Sequence, residues 1–191
     1  MSQTRIKAHK QTKKHIIKNI ENSGRKSLNF VGSHPIAGSE KSGVKCADKD
    51  LFKDAYCVLT KTKNTNPKSL SQVKKFWGKL GMNVIVMSPE AHDRLLSKIS
   101  HLPHAVAASL VNAAGKDGLS LASGGFRDTT RIASGEPELW KDIFLTNREN
   151  LVKDIEIFIK ELLKIKTALR SNDSRDLMRL LRRAKSIRDF S

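Results

Sequence analysis

Three short polar segments hold the residues of this chain that could do chemistry. A histidine can accept a proton near neutral pH, and an arginine can bind a carboxylate through two parallel hydrogen bonds. Loops that combine such side chains with glycine are usually built around a ligand. We therefore expect one site assembled from three distant segments, which are VGSHPIAGSEKSG at 31–43, SHLPH at 100–104 and SGGFRDTTRIASG at 123–135.

The candidate side chains are His34 in the first segment, His101 and His104 in the second, and Arg131 in the third. His101 and His104 are three positions apart beside Pro103, so one helical face would carry both if a helix continues there. Such a pair could ligate zinc, but no third ligand follows at a spacing typical of zinc sites, and we expect no metal. A buried structural role is a second interpretation of His101.

The composition indicates an ordinary globular protein. With 191 residues, of which 38% are hydrophobic and 29% charged, the chain can bury a core in one domain or two small ones. Its two cysteines give neither a disulfide framework nor a metal spacing, which is typical of the reducing cytoplasm. No signal-peptide pattern opens the sequence, and no apolar run approaches the roughly 20 residues that cross a bilayer. We expect a cytoplasmic protein without a membrane segment.

The positive charge is concentrated at the two ends of the sequence. Of the formal net charge of +17, residues 1–26 carry +7 and residues 160–191 carry +6. Only 5% of the residues are aromatic, and no aromatic and basic residues alternate as they do on surfaces that stack bases. The pattern therefore does not favour nucleic acid as a partner and favours solvated helix faces or a flexible arm. The positive field can still attract an anionic substrate.

The first half of the sequence predicts a small, mainly parallel α/β sheet. Short apolar runs at 28–31, 55–60 and 83–87 are typical of buried strands. A helix is expected between the second and third runs, with Asn66 as its N-cap and Gly81 as its stop. Strands that alternate with helices in this way usually form a parallel sheet.

After Met87 the sequence predicts helices alone, so we place a domain boundary there. A helix capped by Ser88 is expected to kink or break at Pro103. The apolar segment HAVAASLVNAA that follows would be buried on most sides. Near the end, a heptad seam predicts a helix that either closes an internal bundle or pairs with a second chain, and its residues are Leu151, Ile155, Phe158, Leu162, Ile165 and Leu169.

The amino-acid sequences of the three polar segments resemble those of the prephenate dehydrogenase family. HPIAGSEKSG, MSPEAHDRLLSKISHLPH and GGFRDTTRIASGEPELWKDIFLTNRE occur in the family's order, and the resemblance runs from about Phe30 to about Leu169. It implies an α/β remnant of a dinucleotide-binding, Rossmann-like domain, followed by an all-α dimerisation domain like the C-terminal domain of 6-phosphogluconate dehydrogenase. The implied division is a basic arm with a short helix at 1–27, the C-terminal part of the dinucleotide-binding domain at 28–87 and the helical substrate and dimerisation domain at 88–191.

The resemblance also implies an activity and its residues. The reaction is the NAD- or NADP-dependent oxidative decarboxylation of prephenate to 4-hydroxyphenylpyruvate in tyrosine biosynthesis, carried out by a homodimer. His34 matches the family's catalytic histidine and Arg131 its substrate-binding arginine. The other implied positions are His101, His104 and Glu40 at the substrate, Ser39 near the nicotinamide, and Asp128 and Trp140 as support behind them.

This sequence departs from the family where the nucleotide should bind. It contains no GxGxxG turn, and the family's Asp-x-x-Ser-x-Lys-like turn has Ala8 and Gln11 at its first two key positions, with only Lys13 kept. Without that cradle most nucleotide affinity should be missing, and a sheet edge should be left uncovered. Two hypotheses follow: an active dehydrogenase whose nucleotide-binding half is a separate chain, or a non-catalytic dimerisation or substrate-binding module that kept the pocket.

Overall fold

The computed structural model describes residues 12–22, 29–37, 48 and 50–190. Among these residues, the first half has three strands and two helices, and the part after them is helical. These elements are α1 (Lys13–Asn22), β1 (Gly32–Ile36), β2 (Tyr56–Thr60), α2 (Pro67–Lys79) and β3 (Asn83–Met87). The helical half contains α3 (Pro89–Leu96), a π-helical segment (Ser97–His101), α4 (Leu102–Ser120), α5 (Gly124–Thr130), a 3₁₀ turn (Arg131–Ser134), α6 (Pro137–Thr146), α7 (Arg148–Arg170) and α8 (Ser174–Asp189).

The three strands form one mixed sheet in the order β1-β2-β3. The β2 and β3 strands are parallel, as the sequence predicts, whereas β1 runs antiparallel to β2. The predicted first strand at 28–31 is wrong, because the ladder with β2 begins at Gly32, opposite Thr60, and places His34 opposite Val58. Pro35 lacks an N–H for a second ladder, and it is tolerated because β1 lies at an edge of the described sheet.

The sheet has helices on both faces. One face of β2 presents Cys57 and Leu59, which are fully buried and pack with Met82. Helix α2 covers this face, whereas α3 contacts β2 and itself packs against α1. The partly buried residues around the first face are Val31, Ala37, Phe52, Ala55, Leu70, Val73, Trp77, Val84 and Val86.

Helix α2 begins and ends as its sequence predicts. The side chain of Asn66 accepts hydrogen bonds from the backbone N–H groups of Lys68 at 2.8 Å and Ser69 at 3.3 Å. Pro67 is the first helical residue, where its missing N–H removes no helical bond. Gly81 follows the helix with a φ of 83°, a left-handed conformation that glycine adopts without steric cost.

Replacing Gly32 with alanine should lower the free energy of unfolding by roughly 1–3 kcal/mol. The new Cβ would overlap the hydroxyl of Thr60, which is buried and donates to the Gly32 carbonyl oxygen. Thr60 is β-branched and cannot turn away freely. Urea denaturation checks this. Gly78→Ala is the matched control, because nothing lies within 4 Å of its Cβ, and it should stabilise the exposed helix α2 slightly. Equal stability of the two variants would contradict the close packing at Gly32.

The helix that Ser88 caps does not break at Pro103. The Ser88 hydroxyl accepts from the Ala91 N–H at 3.1 Å, and α3 then passes through the π-helical segment directly into α4. Pro103 is tolerated because it falls in the first turn of α4, after the π-helical segment has changed the hydrogen-bond register. The break comes later, at Gly115, whose φ of 62° and ψ of −176° are not helical.

The helical half leaves much of its apolar surface uncovered in the single chain. The prediction that HAVAASLVNAA is buried on most sides is wrong for this chain, because only His104 and Ala107 are buried and Leu110 is 39% exposed. The predicted seam on α7 is buried at Leu151 but 61% exposed at Leu169. In the described part of the chain, some of the apolar surface of α4 and α7 therefore faces outward, although other helices contact both elements. Within that part, no helix is both long and apolar enough to span a membrane.

Candidate functional site

His34 lies in the middle of β1, and its ring faces helix α3. Its Nδ1 is 2.8 Å from Nε2 of His92, and the two ring centroids are 5.1 Å apart. Burial lowers the pKa of His34 to about 4, with further lowering by the neighbouring His92 and Lys13. His34 is therefore a neutral imidazole at physiological pH, which is the form that can accept a proton.

Behind His92 lies a buried carboxylate, Asp93. The Nδ1 atom of His92 is 2.8 Å from Asp93 Oδ1. The same carboxylate accepts backbone hydrogen bonds from Lys13 and Lys14, each at 3.0 Å, and so caps the N-terminus of α1. Burial raises the pKa of Asp93, but the hydrogen bonds from His92 and from the backbone outweigh it, so the pKa is lowered. Asp93 is therefore an ionised group that ties α1 to α3.

His34 and Arg131 line the same cavity, whose volume is about 800 Å³. The cavity lies between β1 and the helical half of the chain. Arg131 reaches it from the 3₁₀ turn, where it is exposed at the cavity mouth. The remaining lining residues are Pro35, Ile36, Ala37, Ser100, Ile132, Ser134, Gly135, Glu136 and Trp140.

The indole of Trp140 forms one wall of the cavity and is held by two histidines. His104 stacks on it with the ring centroids 3.6 Å apart, and His101 meets it edge-on at 6.3 Å. Gly135 approaches the same rings so closely that a Cβ there would lie 2.5 Å from Trp140 Nε1 and 3.1 Å from His104 Cε1. The glycine is required by this close approach, because no other residue fits without moving the rings.

Asn147 links His101 to the carboxylate side of the site. Its Nδ2 donates to the backbone carbonyl of Asp93 at 2.8 Å and lies 3.1 Å from His101 Nδ1. Its Oδ1 accepts from Asn150 Nδ2 at 2.8 Å, which fixes the orientation of the amide. Burial lowers the pKa of His101 to about 4 and also lowers that of His104. Both imidazoles are therefore neutral, and their rings hold the indole of Trp140 in place.

The structure brings together some of the predicted site residues and separates others. His34, Arg131 and Trp140 line the cavity, whereas His101 and His104 lie behind Trp140 on one helical face, as their spacing predicts. Asp128 is exposed on α5 and does not belong to the lining. Two further predictions, Ser39 and Glu40, lie outside the described residues.

Sequence reasoning missed His92, Asp93 and Asn147. The signal for the first two was present, because the buried residues of α3 are Pro89, His92, Asp93 and Leu96. Their spacing is that of the stripe by which a helix faces the core. A histidine and an aspartate side by side in such a stripe must be paired once buried. For Asn147 the sequence holds no comparable signal.

The free energy of unfolding should fall as the pH is lowered from about 6.5 to about 4. His34 and His101 have a pKa of about 4 in the fold, whereas an unperturbed histidine has about 6.5, so the unfolded state binds more protons in this window. The contribution of the neutral imidazoles to the free energy of unfolding is fully present above this pH window. Protonation of His101 alone should remove roughly 2 kcal/mol of it across the window. Urea denaturation at several pH values checks this. His15 is exposed, so the control His15→Gln should show the same fall in stability as the wild-type chain. A flat profile would contradict the neutral, buried state of these imidazoles.

The N-termini of α1, α2 and α3 are not open to the pyrophosphate of a dinucleotide. A pyrophosphate usually binds at an open helix N-terminus. The first N–H groups of α1 are bonded to Asp93, those of α2 to Asn66 and those of α3 to Ser88. The described part of the chain also contains no group of three or more His, Cys, Asp or Glu side chains that could hold a metal ion.

Two family profiles match the chain on either side of Met87. The prephenate dehydrogenase nucleotide-binding domain matches residues 9–86, and the prephenate dehydrogenase dimerization domain matches residues 88–183. The chain is 42% identical over 166 residues to a prephenate dehydrogenase of Bacillus subtilis, which covers 84% of this chain and 45% of that protein. A cyclohexadienyl dehydrogenase of Zymomonas mobilis is 36% identical over 75% of this chain and 52% of its own length.

Solved structures of related enzymes have the same fold. Prephenate dehydrogenase of Aquifex aeolicus in complex with hydroxyphenyl propionate and NAD+ superposes with a TM-score of 0.82 at 41% identity, over 91% of this chain and 62% of that one. Arogenate dehydrogenase of Synechocystis gives a TM-score of 0.79 at 34% identity, over 94% of this chain and 66% of that one. The chain spans about half the length of the curated relatives it matches.

The fold and the profiles together define a class of protein in which an α/β nucleotide-binding domain precedes a helical dimerisation domain, and His34 lines a cavity where the two parts meet. Within that class, the chain belongs to the prephenate dehydrogenase family, whose named members are oxidoreductases. The resemblance drawn from the three polar segments is thereby confirmed, and so is the fold class that it implied.

Proposed function

We propose that this chain is the substrate-binding and proton-accepting part of a prephenate dehydrogenase, which acts with NAD or NADP to convert prephenate to 4-hydroxyphenylpyruvate. One observation carries the proposal: His34 and Arg131, far apart in the sequence, line one cavity large enough for a substituted six-membered ring. A neutral base and a guanidinium facing one space suit a substrate that has an ionisable hydroxyl and two carboxylates.

The proton chemistry of the reaction falls to His34. The ring carbon of prephenate that bears the hydroxyl loses a hydride, and a nicotinamide nucleotide supplies the acceptor for it when bound. His34 takes the hydroxyl proton as the carbon–oxygen bond becomes a carbonyl. Departure of the ring carboxylate as carbon dioxide returns its bonding electrons to the ring, which becomes aromatic. The proton on His34 then returns to the oxygen as the phenol forms, and the imidazole is neutral again.

Arg131 and Trp140 suit the binding of this substrate. A guanidinium can hold a carboxylate through two hydrogen bonds, and Arg131 presents one at the cavity mouth. The indole of Trp140 offers a flat apolar wall for a six-membered ring, and the stack with His104 keeps it in place. In this proposal Arg131 orients the substrate and Trp140 excludes water from its ring.

We further propose that these 191 residues bind the substrate but do not hold the nucleotide, or turn the substrate over, without a further nucleotide-binding segment. The capped N-termini of α1, α2 and α3 offer no place for a pyrophosphate. Within the described sheet, β1 lies at an edge and pairs only with β2. The helical half would pair with a second copy, since its profile is that of a dimerisation domain and Leu110 and Leu169 are exposed.

A second candidate function is a non-catalytic dimerisation or substrate-binding module. The observation that favours it is the same set of capped helix N-termini, because a chain without nucleotide affinity can keep the cavity for binding alone. This candidate predicts ligand binding at His34 and Arg131 but no turnover with any added partner.

Calorimetric titration of the full chain tests both candidates. We expect hydroxyphenyl propionate, the ligand in the Aquifex aeolicus complex, to bind without nucleotide, and NAD to bind weakly or not at all. Addition of the nucleotide-binding half of the Aquifex aeolicus enzyme should then permit prephenate-dependent nicotinamide reduction. Ligand binding without turnover would favour the non-catalytic module. Failure of the chain to bind hydroxyphenyl propionate would overturn both.

A further inference from the structure

Asp93 fixes the direction of the hydrogen bonds that lead to His34. It is only 3% exposed, and its two oxygens accept the N–H groups of Lys13 and Lys14. An ionised carboxylate can only accept hydrogen bonds. Because His92 Nδ1 lies 2.8 Å from Asp93 Oδ1, that nitrogen must carry a proton and donate it.

The proton on His92 Nδ1 also decides which partner donates in the hydrogen bond between His92 and His34. A His92 that carries a single N–H, and donates it from Nδ1 to Asp93, has an acceptor at Nε2. Since His92 Nε2 is 2.8 Å from His34 Nδ1, the proton of this bond belongs to His34. We propose that His92 and Asp93 are positioning residues that hold neutral His34 in the tautomer protonated at Nδ1, which leaves its Nε2 as a proton acceptor for the cavity. The proposal rests on the proposed function of His34 as the base.

The same arrangement stabilises His34 after it has accepted a proton. The titratable groups that face His34 are Lys13 on α1, His92 and Asp93 on α3, and His101 in the π-helical segment. Asp93 is the carboxylate among them, and it acts on His34 through His92. An imidazolium at His34 would keep donating from Nδ1 to His92, whose own N–H points to Asp93. The positive charge is thus met by an aligned pair of hydrogen bonds.

This geometry also explains why α1 is part of the site although it contributes no cavity-lining residue. The backbone N–H groups at its N-terminus hold Asp93 ionised and fixed, as a helix N-terminus does for an anion. Lys13 also donates from Nζ to the backbone carbonyl of Ser33 at 2.8 Å, which ties α1 to the strand that carries His34. The helix therefore positions both ends of the hydrogen-bonded chain.

The tautomer can be read directly in the full chain by ¹⁵N NMR with labelled histidine, and this measurement needs no turnover. At pH 7 we expect His34 to be protonated at Nδ1 and unprotonated at Nε2. In His92→Gln the amide oxygen can still accept from His34 Nδ1, so the tautomer should be kept. In His92→Phe no acceptor remains, and the population should shift toward the Nε2-protonated form. Wild-type His34 protonated at Nε2 would overturn the proposal, whether or not the phenylalanine variant folds.

Kinetics of the assembled enzyme separates this proposal from the proposed function. With the nucleotide-binding half added, His92→Phe should lower kcat by at least about 10-fold with little change in KM, and His92→Gln should restore most of it. Equal rates for the two variants would overturn the positioning role. If the tautomer is as expected but wild-type chain gives no prephenate oxidation, the proposed function fails and the hydrogen-bond arrangement stands.

Discussion

Replacing His34 with asparagine should lower kcat of the assembled dehydrogenase by roughly 10²- to 10⁴-fold, the usual contribution of a positioned general base. Asparagine is polar, smaller than histidine and able to accept a hydrogen bond, but it cannot take a proton at neutral pH. Because the loss concerns a step in the reaction and not ground-state binding, KM should change by less than about threefold. The rate of nicotinamide reduction with prephenate measures both constants.

The control for His34 is a second histidine that lies outside the cavity. His15 is exposed on α1 and does not line the cavity, and His15→Asn should leave kcat unchanged. Calorimetric titration of hydroxyphenyl propionate should give similar affinities for the wild-type chain and His34→Asn, since the base contributes little to binding of a product-like ligand. A His34→Asn enzyme that keeps a tenth or more of the wild-type kcat would contradict the assignment of the base.

Local sequence signals predicted the elements that depend on local chemistry. The bounds of β3 and the N-cap and stop of α2 follow from apolar runs, Asn66 and Gly81, and the structure confirms them. Position and direction of β1 did not follow, because both are decided by the partner strand: Gly32, Ser33 and His34 have no apolar pattern, and pairing with β2 makes them a strand. Strand pairing between distant segments is a property of the fold and not of the segment.

The helical half shows the same limit in another form. The break expected at Pro103 came from the rule that proline interrupts a helix, but the π-helical segment changes the hydrogen-bond register just before Pro103, and the helix continues through it. The burial expected for HAVAASLVNAA came from its apolar composition. Composition shows that a surface needs covering but does not show whether the same chain covers it.

Some residues of the candidate site could also be predicted from the sequence, whereas others could be found only from the fold. The predicted residues that face the cavity are His34, Arg131 and Trp140. They lie in segments that have distinctive sequences. The residues that set the chemistry of His34 are His92 and Asp93, whose partners come from β1 and from the backbone of α1. A backbone N–H leaves no mark on the sequence, so the part of the site that depends on it becomes visible only in the fold.

Replacing Arg131 with alanine should weaken the binding of hydroxyphenyl propionate to the full chain by roughly 10- to 100-fold, which corresponds to the loss of hydrogen bonds to a charged group. Arg131 lies at the mouth of the cavity and is exposed, so solvent screens its charge and the effect should stay within this range. Lysine at the same position keeps the charge but not the planar fork, and Arg131→Lys should recover only part of the affinity. Calorimetric titration measures all three proteins.

Arg127→Ala separates a contact by Arg131 from the general positive field of the chain. Arg127 is exposed on α5, donates from Nε to the backbone carbonyl of Ala122 and does not line the cavity. Both alanine variants remove one positive charge from a chain of net charge +17, so a purely long-range attraction would weaken binding equally in the two. A direct contact predicts a loss for Arg131→Ala that added salt reduces only in part, and near wild-type affinity for Arg127→Ala. Equal losses in the two variants would mean that the guanidinium at the cavity mouth does not hold the carboxylate.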